Sequence, residues 1–246
     1  MLTSDCVSTI ALDGALDELT SIIQKERVVD VEIPIKGLML RESVVVSDCS
    51  PDHLEAQSSN ISHFCTGTFN YPLFIKLGRT NKALTCRLSD LLVYSGKLVM
   101  NDFRIMDQTW KDRQSDRVQP RLPIFVSVVN GKKTVNANLF DISLTGMCIL
   151  LDKNNIEDPD KLMDSKMQIL LTLPTYKSAS KITGHIVQCR HISNNLLRIG
   201  MDISMNSKDR AVVAHYLSER KREILDELFI NFTGLLNYRE TKDQYF

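Results

Sequence analysis

The chain has 246 residues, 43% of them hydrophobic, with 30 basic and 30 acidic side chains. That is enough apolar material for one large core or two ordinary ones. A formal net charge of zero leaves no global field to draw the chain to nucleic acid or membrane, so affinity for an anion must come from a local cluster.

Six cysteines (Cys6, Cys49, Cys65, Cys86, Cys148 and Cys189) show no CxxC spacing. They read as small buried apolar groups, which fits a reducing cytoplasm. Met1–Leu12 has neither the basic start nor the apolar centre of a signal peptide. No run reaches the roughly eighteen apolar residues of a membrane span.

Leu12, Leu16, Leu19 and Ile23 recur at helical spacing and predict an amphipathic helix over about 13–26. Strand patterns come next: VDVEIPI (29–35), LMLRESVVV (38–46), FCTGTF (64–69), YPLFIKL (71–77), ALTCRLSDLLVY (83–94) and KLVMNDFRI (97–105). Short strands at this spacing, separated by Gly, Asn, Asp and Ser, predict a small antiparallel barrel or sandwich. Residues 106–120 are polar, carry the lone Trp110, and read as a linker.

A second β block begins with LPIFVSVV (122–129), then the hairpin pair Asn130-Gly131, then TVNANLF (134–140) with Val135, Ala137 and Leu139 on one face. MCILL (147–151), KMQILLTL (166–173), KITGHIVQC (181–189) and LLRIGMDI (196–203) continue it. The chain closes on a helix over about 207–230, with Ser207 as its candidate N-cap. Val213, Leu217, Ile224 and Leu228 form its apolar stripe, and Arg220, Arg222 and Glu223 fall off it. The fold expected is mainly β: two small antiparallel β-barrel domains in tandem, with an N-terminal and a C-terminal helix.

Catalytic signatures are missing. There is no GxxxxGK[ST], GxGxxG, HExxH or GxSxG. His63 with Cys65, and Cys189 with His191, are isolated pairs of metal-ligand types and read as ordinary strand residues. The expectation is a protein that is not an enzyme and holds neither metal nor cofactor.

The local cluster sits at 113–121, RQSDRVQPR, and is followed at 141–146 by DISLTG. Guanidinium is planar, permanently charged and forked; it binds phosphate oxygens in pairs, contacts guanine O6 and N7 together, or stacks on a base. Asp141 complements the donors on the guanine Watson–Crick edge. Ser143 adds a donor and an acceptor, and Gly146 permits close backbone approach. Taken separately, these features are ordinary linker arginines and an Asx-type turn with a positive-φ glycine. Together they suit a ligand with guanine rings and phosphates.

R117VQPR121, an apolar strand, and D141ISLTG146 resemble the RxxxR and [DN]xSxxG motif pair of the PilZ domain. I199GMDI203 resembles that family's closing strand, and the resemblance covers about 110–230. A β-rich domain in front further resembles YcgR-like, flagellar-brake architecture. The resemblance implies residues 1–108 as a YcgR-like domain, 109–121 as a linker and 122–246 as the PilZ barrel with its helix. It implies a receptor for cyclic di-GMP, held by Arg117, Arg121, Asp141, Ser143 and Gly146.

Arg113 and Arg117 also have RxxxR spacing. The Arg117/Arg121 register is preferred because Arg121 directly precedes the aliphatic start of a strand, which leaves Arg113 as an auxiliary phosphate contact. Asp116 reduces the positive potential of the cluster. The expected partner is a protein such as the flagellar motor, with motility, biofilm or virulence as output. A homodimer through a strand edge or the first helix is compatible with the sequence. Two other readings stand beside this one: a ligand-free PilZ-fold scaffold, and a barrel for single-stranded nucleic acid. The second is disfavoured by zero net charge and 7% aromatic content.

Overall fold

The structure is a computed structural model and describes residues 9–50, 52–66, 72–77, 82–107, 115–130, 133–155, 162–174, 176 and 178–243. Trp110, Gly131 and Arg113 lie outside the described residues. The chain divides into two compact units. One comprises Met1–Ile35, Met39–Asp112 and Ile224–Phe246; the other comprises Lys36–Leu38 and Arg113–Glu223.

The first unit opens with helix α1 (Thr9–Glu26), which starts earlier than its apolar spacing suggests and buries Ala15 and Leu19. Six strands come after it: β1 (Val28–Ile35), β2 (Leu38–Cys49), β3 (His53–Gln57), β4 (Pro72–Lys76), β5 (Lys82–Leu92) and β6 (Lys97–Asp107). They close into a barrel in the order β1-β2-β3-β6-β5-β4. Alternation along the strands puts Val31, Ile33, Val44, Leu54, Ile75, Leu84, Leu98 and Met100 in its core.

The described part of the expected strand at 64–69 is not a strand. Ile61–Phe64 form a 3₁₀ turn instead, with Ile61 and Phe64 buried. His63 does not face Cys65 as a ligand pair; its Nδ1 bonds the Glu42 carboxylate, while the Cys65 thiol donates to the Ile61 carbonyl at 3.5 Å. Burial pushes the Cys65 thiol up to about 11, so it stays protonated. Among the described residues no three His, Cys, Asp or Glu side chains come together as a metal site.

The second barrel is built from β7 (Phe125–Asn130), β8 (Lys133–Ile142), β9 (Gly146–Asp152), β10 (Lys166–Leu171), β11 (Ser180–Ser193) and β12 (Leu196–Met205). Its order is β10-β11-β12-β9-β8-β7, all antiparallel. As the alternation of TVNANLF requires, Ala137 and Leu139 are buried and Asn136 and Asn138 are exposed. Val126, Val128, Ile149, Ile169, Ile186, Leu197 and Ile199 fill the core.

Helix α2 (Ser207–Asp243) closes the chain and runs thirteen residues past the expected end. Its cap is Asn206 rather than Ser207. The Asn206 side-chain oxygen accepts from the Asp209 N–H at 2.8 Å, and its amide donates to the Asp209 carboxylate at 2.8 Å. Asn206→Ala should therefore cost about 1 kcal/mol of stability, read as a lowered denaturation midpoint at unchanged slope. Val213, Leu217, Ile224 and Leu228 are buried as the stripe predicts. Arg220, placed off the stripe by its charge, is buried with them. Neither described helix is long and apolar enough to cross a membrane.

Candidate ligand-binding site

The arginine segment is held to the second barrel by its backbone. Val118 is fully buried and pairs antiparallel with Ile142. Its N–H donates to the Ile142 carbonyl at 2.9 Å, and the Ile142 N–H returns to the Val118 carbonyl at 3.0 Å. The Gln119 N–H donates to the Lys36 carbonyl at 2.7 Å. Gly37, at φ +86°, lies against the backbone of Arg117 and Gln119; a Cβ there would stand 3.3 Å from each. The residues on either side of Val118 are thereby aimed.

Asp141 owes its placement to an irregularity in β8. Leu139 pairs with Ile149, but Asp141, not Phe140, pairs with Cys148. Phe140 is thus an extra residue, and the bulge re-aims the side chains beyond it. Ile142 goes to the core, while Asp141 turns to the same outer face as Cys148 and Arg198. Its carboxylate remains 8% exposed and meets two guanidinium groups. Arg117 Nη1 donates to Oδ1 at 3.2 Å, and Arg198 Nη2 lies 3.6 Å from Oδ2. A carboxylate this buried requires such pairing.

Ser143 and Gly146 act differently from each other. The Ser143 hydroxyl is 1% exposed and serves the loop itself. It accepts from the Gly146 N–H at 2.8 Å and the Thr145 N–H at 3.3 Å, and donates to the Gly146 carbonyl at 3.1 Å. Gly146 does not take positive φ. What it supplies is room: a Cβ there would fall 2.6 Å from Arg117 Nη2 and 3.2 Å from its Cζ. The guanidinium of Arg117 rests in the notch that this glycine leaves open.

Arg198 carries no local sequence signal and was not anticipated. It lies on β12, where its Nε donates to Cys148 Sγ at 3.2 Å and its guanidinium stacks 4.2 Å from the Phe140 ring centroid. Burial pushes the Cys148 thiol up despite the opposing contact with Arg198, so the sulfur there is a neutral thiol. The bulge residue Phe140 thus has two roles: it turns Asp141 outward and props the second arginine beside it.

Arg121 stands exposed at the end of the segment and makes no ion pair among the described residues. Beside it, Leu122 and Phe125 are 73% and 69% exposed. The Asp116 carboxylate bonds Lys221 Nζ at 2.6 Å. Ser115 and Thr145 share a hydroxyl contact of 2.8 Å. An open cleft of about 390 Å³ lies between Ser115, Asp116 and Leu144 on one side and Ala214, Leu217, Ser218 and Lys221 on the other. With its cation already paired to an acid, that cleft offers little to an anion.

Arg117, Asp141, Ser143 and Gly146 are thus brought together, while Arg121 stands exposed four residues further along the segment. Forked donors and a buried carboxylate meet on the outer face of a closed barrel. Residues 111–219 match the PilZ domain family model.

No curated protein matches the chain. Among solved structures, the K. pneumoniae MrkH–c-di-GMP complex is similar at 12% identity and TM-score 0.43, over 88% of this chain and 97% of that one. E. coli YcgR in complex with c-di-GMP is similar at 13% identity and TM-score 0.39, over 90% and 95%. The Bacillus subtilis inhibitor of motility MotI/DgrA is similar at 10% identity and TM-score 0.39, over 80% and 97%. Likenesses this distant carry no assignment by themselves.

Proposed function

We propose that the chain is a non-catalytic receptor for cyclic di-GMP, with its site at the arginine segment and the Asp141 turn. The observation that carries this reading is the seating of Arg117 on Asp141 in the Gly146 notch, which unites both halves of the motif pair in one place. Arg121, exposed further along the segment, would add a second fork from the motif, Arg198 adds a guanidinium against Asp141, and Ser143 holds the loop in shape. The charge of Asp116, which weighs against anion binding, is answered by Lys221.

A micromolar complex needs about −8 kcal/mol, and one good bidentate arginine–base contact gives roughly 1–3 kcal/mol of discrimination. Several groups must act together. Isothermal titration with cyclic di-GMP tests this: saturable binding is expected for the wild type, a large loss for Arg121→Ala, and a smaller one for Arg113→Ala. Equal affinity in all three would reject the Arg117/Arg121 register.

The output depends on where the arginines lie. Arg117 and Asp141 belong to one unit, so a ligand held there would favour one interdomain arrangement only through a difference in its affinity for the alternatives. That shift would regulate a partner protein, the flagellar motor by resemblance to flagellar-brake proteins, in motility, biofilm or virulence. Small-angle scattering with and without saturating ligand should give different profiles; identical profiles would reject the rearrangement while leaving binding intact.

A further inference from the structure

We propose that Arg220, helped by Lys221, is a positioning residue for the arginine segment: together they grip the chain on both sides of Arg117 and keep its guanidinium over Asp141. The inference deepens the cyclic di-GMP reading and rests on it for its effect on ligand.

Arg220 lies within α2 with its side chain 2% exposed, on the face that also carries Tyr216, Leu217 and Ile224. A permanently charged group is not retained in such a place for packing alone, because an apolar side chain of similar length would pack without the desolvation cost. Its bonds show what it does. Nε donates to the Gln119 carbonyl at 2.9 Å, and Nη1 donates to Glu223 at 2.9 Å. Gln119 is midway between Arg117 and Arg121. The next helix residue, Lys221, bonds Asp116, the residue just before Arg117. Two consecutive side chains of one helix thus fasten positions 116 and 119.

Such fastening matters because the seat of Arg117 has little slack. Its Nη2 occupies space that a single methyl at position 146 would deny it. Its contact with Asp141 is 3.2 Å, already at the long end of a hydrogen bond. A small drift of the 116–119 backbone would lift the guanidinium from both. The Val118–Ile142 pairing alone is a single bridge with two hydrogen bonds. The helix adds its two side chains to that bridge and to the bond from the Gln119 N–H to the Lys36 carbonyl.

The test begins without ligand. Amide exchange at Val118 and Ile142 is followed by NMR in wild type, Arg220→Met and Lys221→Met, with the core amides of β9 and β12 as internal reference. Arg220→Met should raise exchange at both positions roughly tenfold while the reference amides hold. Lys221→Met should do less, since its pair with Asp116 is half-exposed. Arg220→Lys, which keeps a cation on a flexible stem, should restore part of the protection. Should Arg220→Met fail to fold, Arg220→Lys against wild type carries the same measurement.

Titration with cyclic di-GMP is the second stage, and affinity should fall roughly tenfold in Arg220→Met. Unchanged exchange at Val118 and Ile142 overturns the positioning role, whether or not the protein binds cyclic di-GMP. Faster exchange with wild-type affinity overturns its bearing on the ligand. A wild type that does not bind refutes the ligand reading, and the exchange result still decides the grip.

Discussion

Alanine at position 117 is expected to remove most cyclic di-GMP binding, a fall of about 100-fold in affinity by calorimetry. One forked contact to a base is worth roughly 1–3 kcal/mol, or about 5- to 150-fold. The upper part of that range applies because Arg117 has a second part beside the contact proposed for it. It shares its charge with Asp141 at 3.2 Å and fills the notch at Gly146. Without it, the buried carboxylate keeps only the looser contact to Arg198 at 3.6 Å, and an acid that repels phosphate is left less covered.

Arg117→Lys should rescue little, since an ammonium cannot span two acceptors with fixed geometry. The fold should survive both changes, because Val118, not Arg117, makes the backbone pairing to Ile142. Full affinity in Arg117→Ala would remove the site.

Gly146→Ala is the second large effect, and it separates binding from stability. The added methyl meets Arg117 Nη2 at 2.6 Å and its Cζ at 3.2 Å, while the nearest backbone atom, the Met201 carbonyl oxygen, is an ordinary 3.5 Å away. The obstacle is therefore the tip of a long side chain, which can swing away, and the barrel need not move. Gly146 begins β9 without positive φ, so alanine fits its backbone. A less flexible unfolded chain should even add about 0.4–1 kcal/mol. Melting temperature should change by only a few degrees, because the loosened Arg117–Asp141 pair opposes that gain while Arg198 stays beside the acid; cyclic di-GMP affinity should fall about 10- to 100-fold, as the displaced guanidinium loses its alignment. A variant that melts normally and binds normally would deny the notch any part in recognition.

What was legible in the sequence is what depends on local pattern. Alternation located eleven of the twelve strands, because a barrel buries every second residue. It failed at β3, where HLEAQ buries only Leu54 and Ala56 and is too short and polar to stand out. It misled at FCTGTF, where Phe64 and Cys65 are buried in and after a 3₁₀ turn rather than along a strand. The end of α2 was set too early because Asn231, Thr233 and Gly234 weaken helical pattern, although the helix continues through them.

The motif letters pointed to Arg117, Asp141, Ser143 and Gly146, which the fold brings together. Their division of labour was not legible. Whether a serine hydroxyl faces a ligand or its own loop depends on a turn geometry that several sequences share. Arg198 and Arg220 were invisible for a simpler reason: Asp141 lies 57 positions before Arg198, and Gln119 lies 101 before Arg220. No window of neighbouring residues contains either partnership.

Phe140 has a wider consequence. One surplus residue in a strand decides whether an acid looks inward or outward, so the recognition proposed here would be written partly in chain length and not only in amino-acid identity. A cousin of this barrel could preserve every letter of both signatures yet, lacking that single insertion, present an aliphatic side chain where the acid belongs. Ranking such proteins by their consensus residues would score it as competent, whereas counting residues between signature and strand would reveal it as deaf to the messenger.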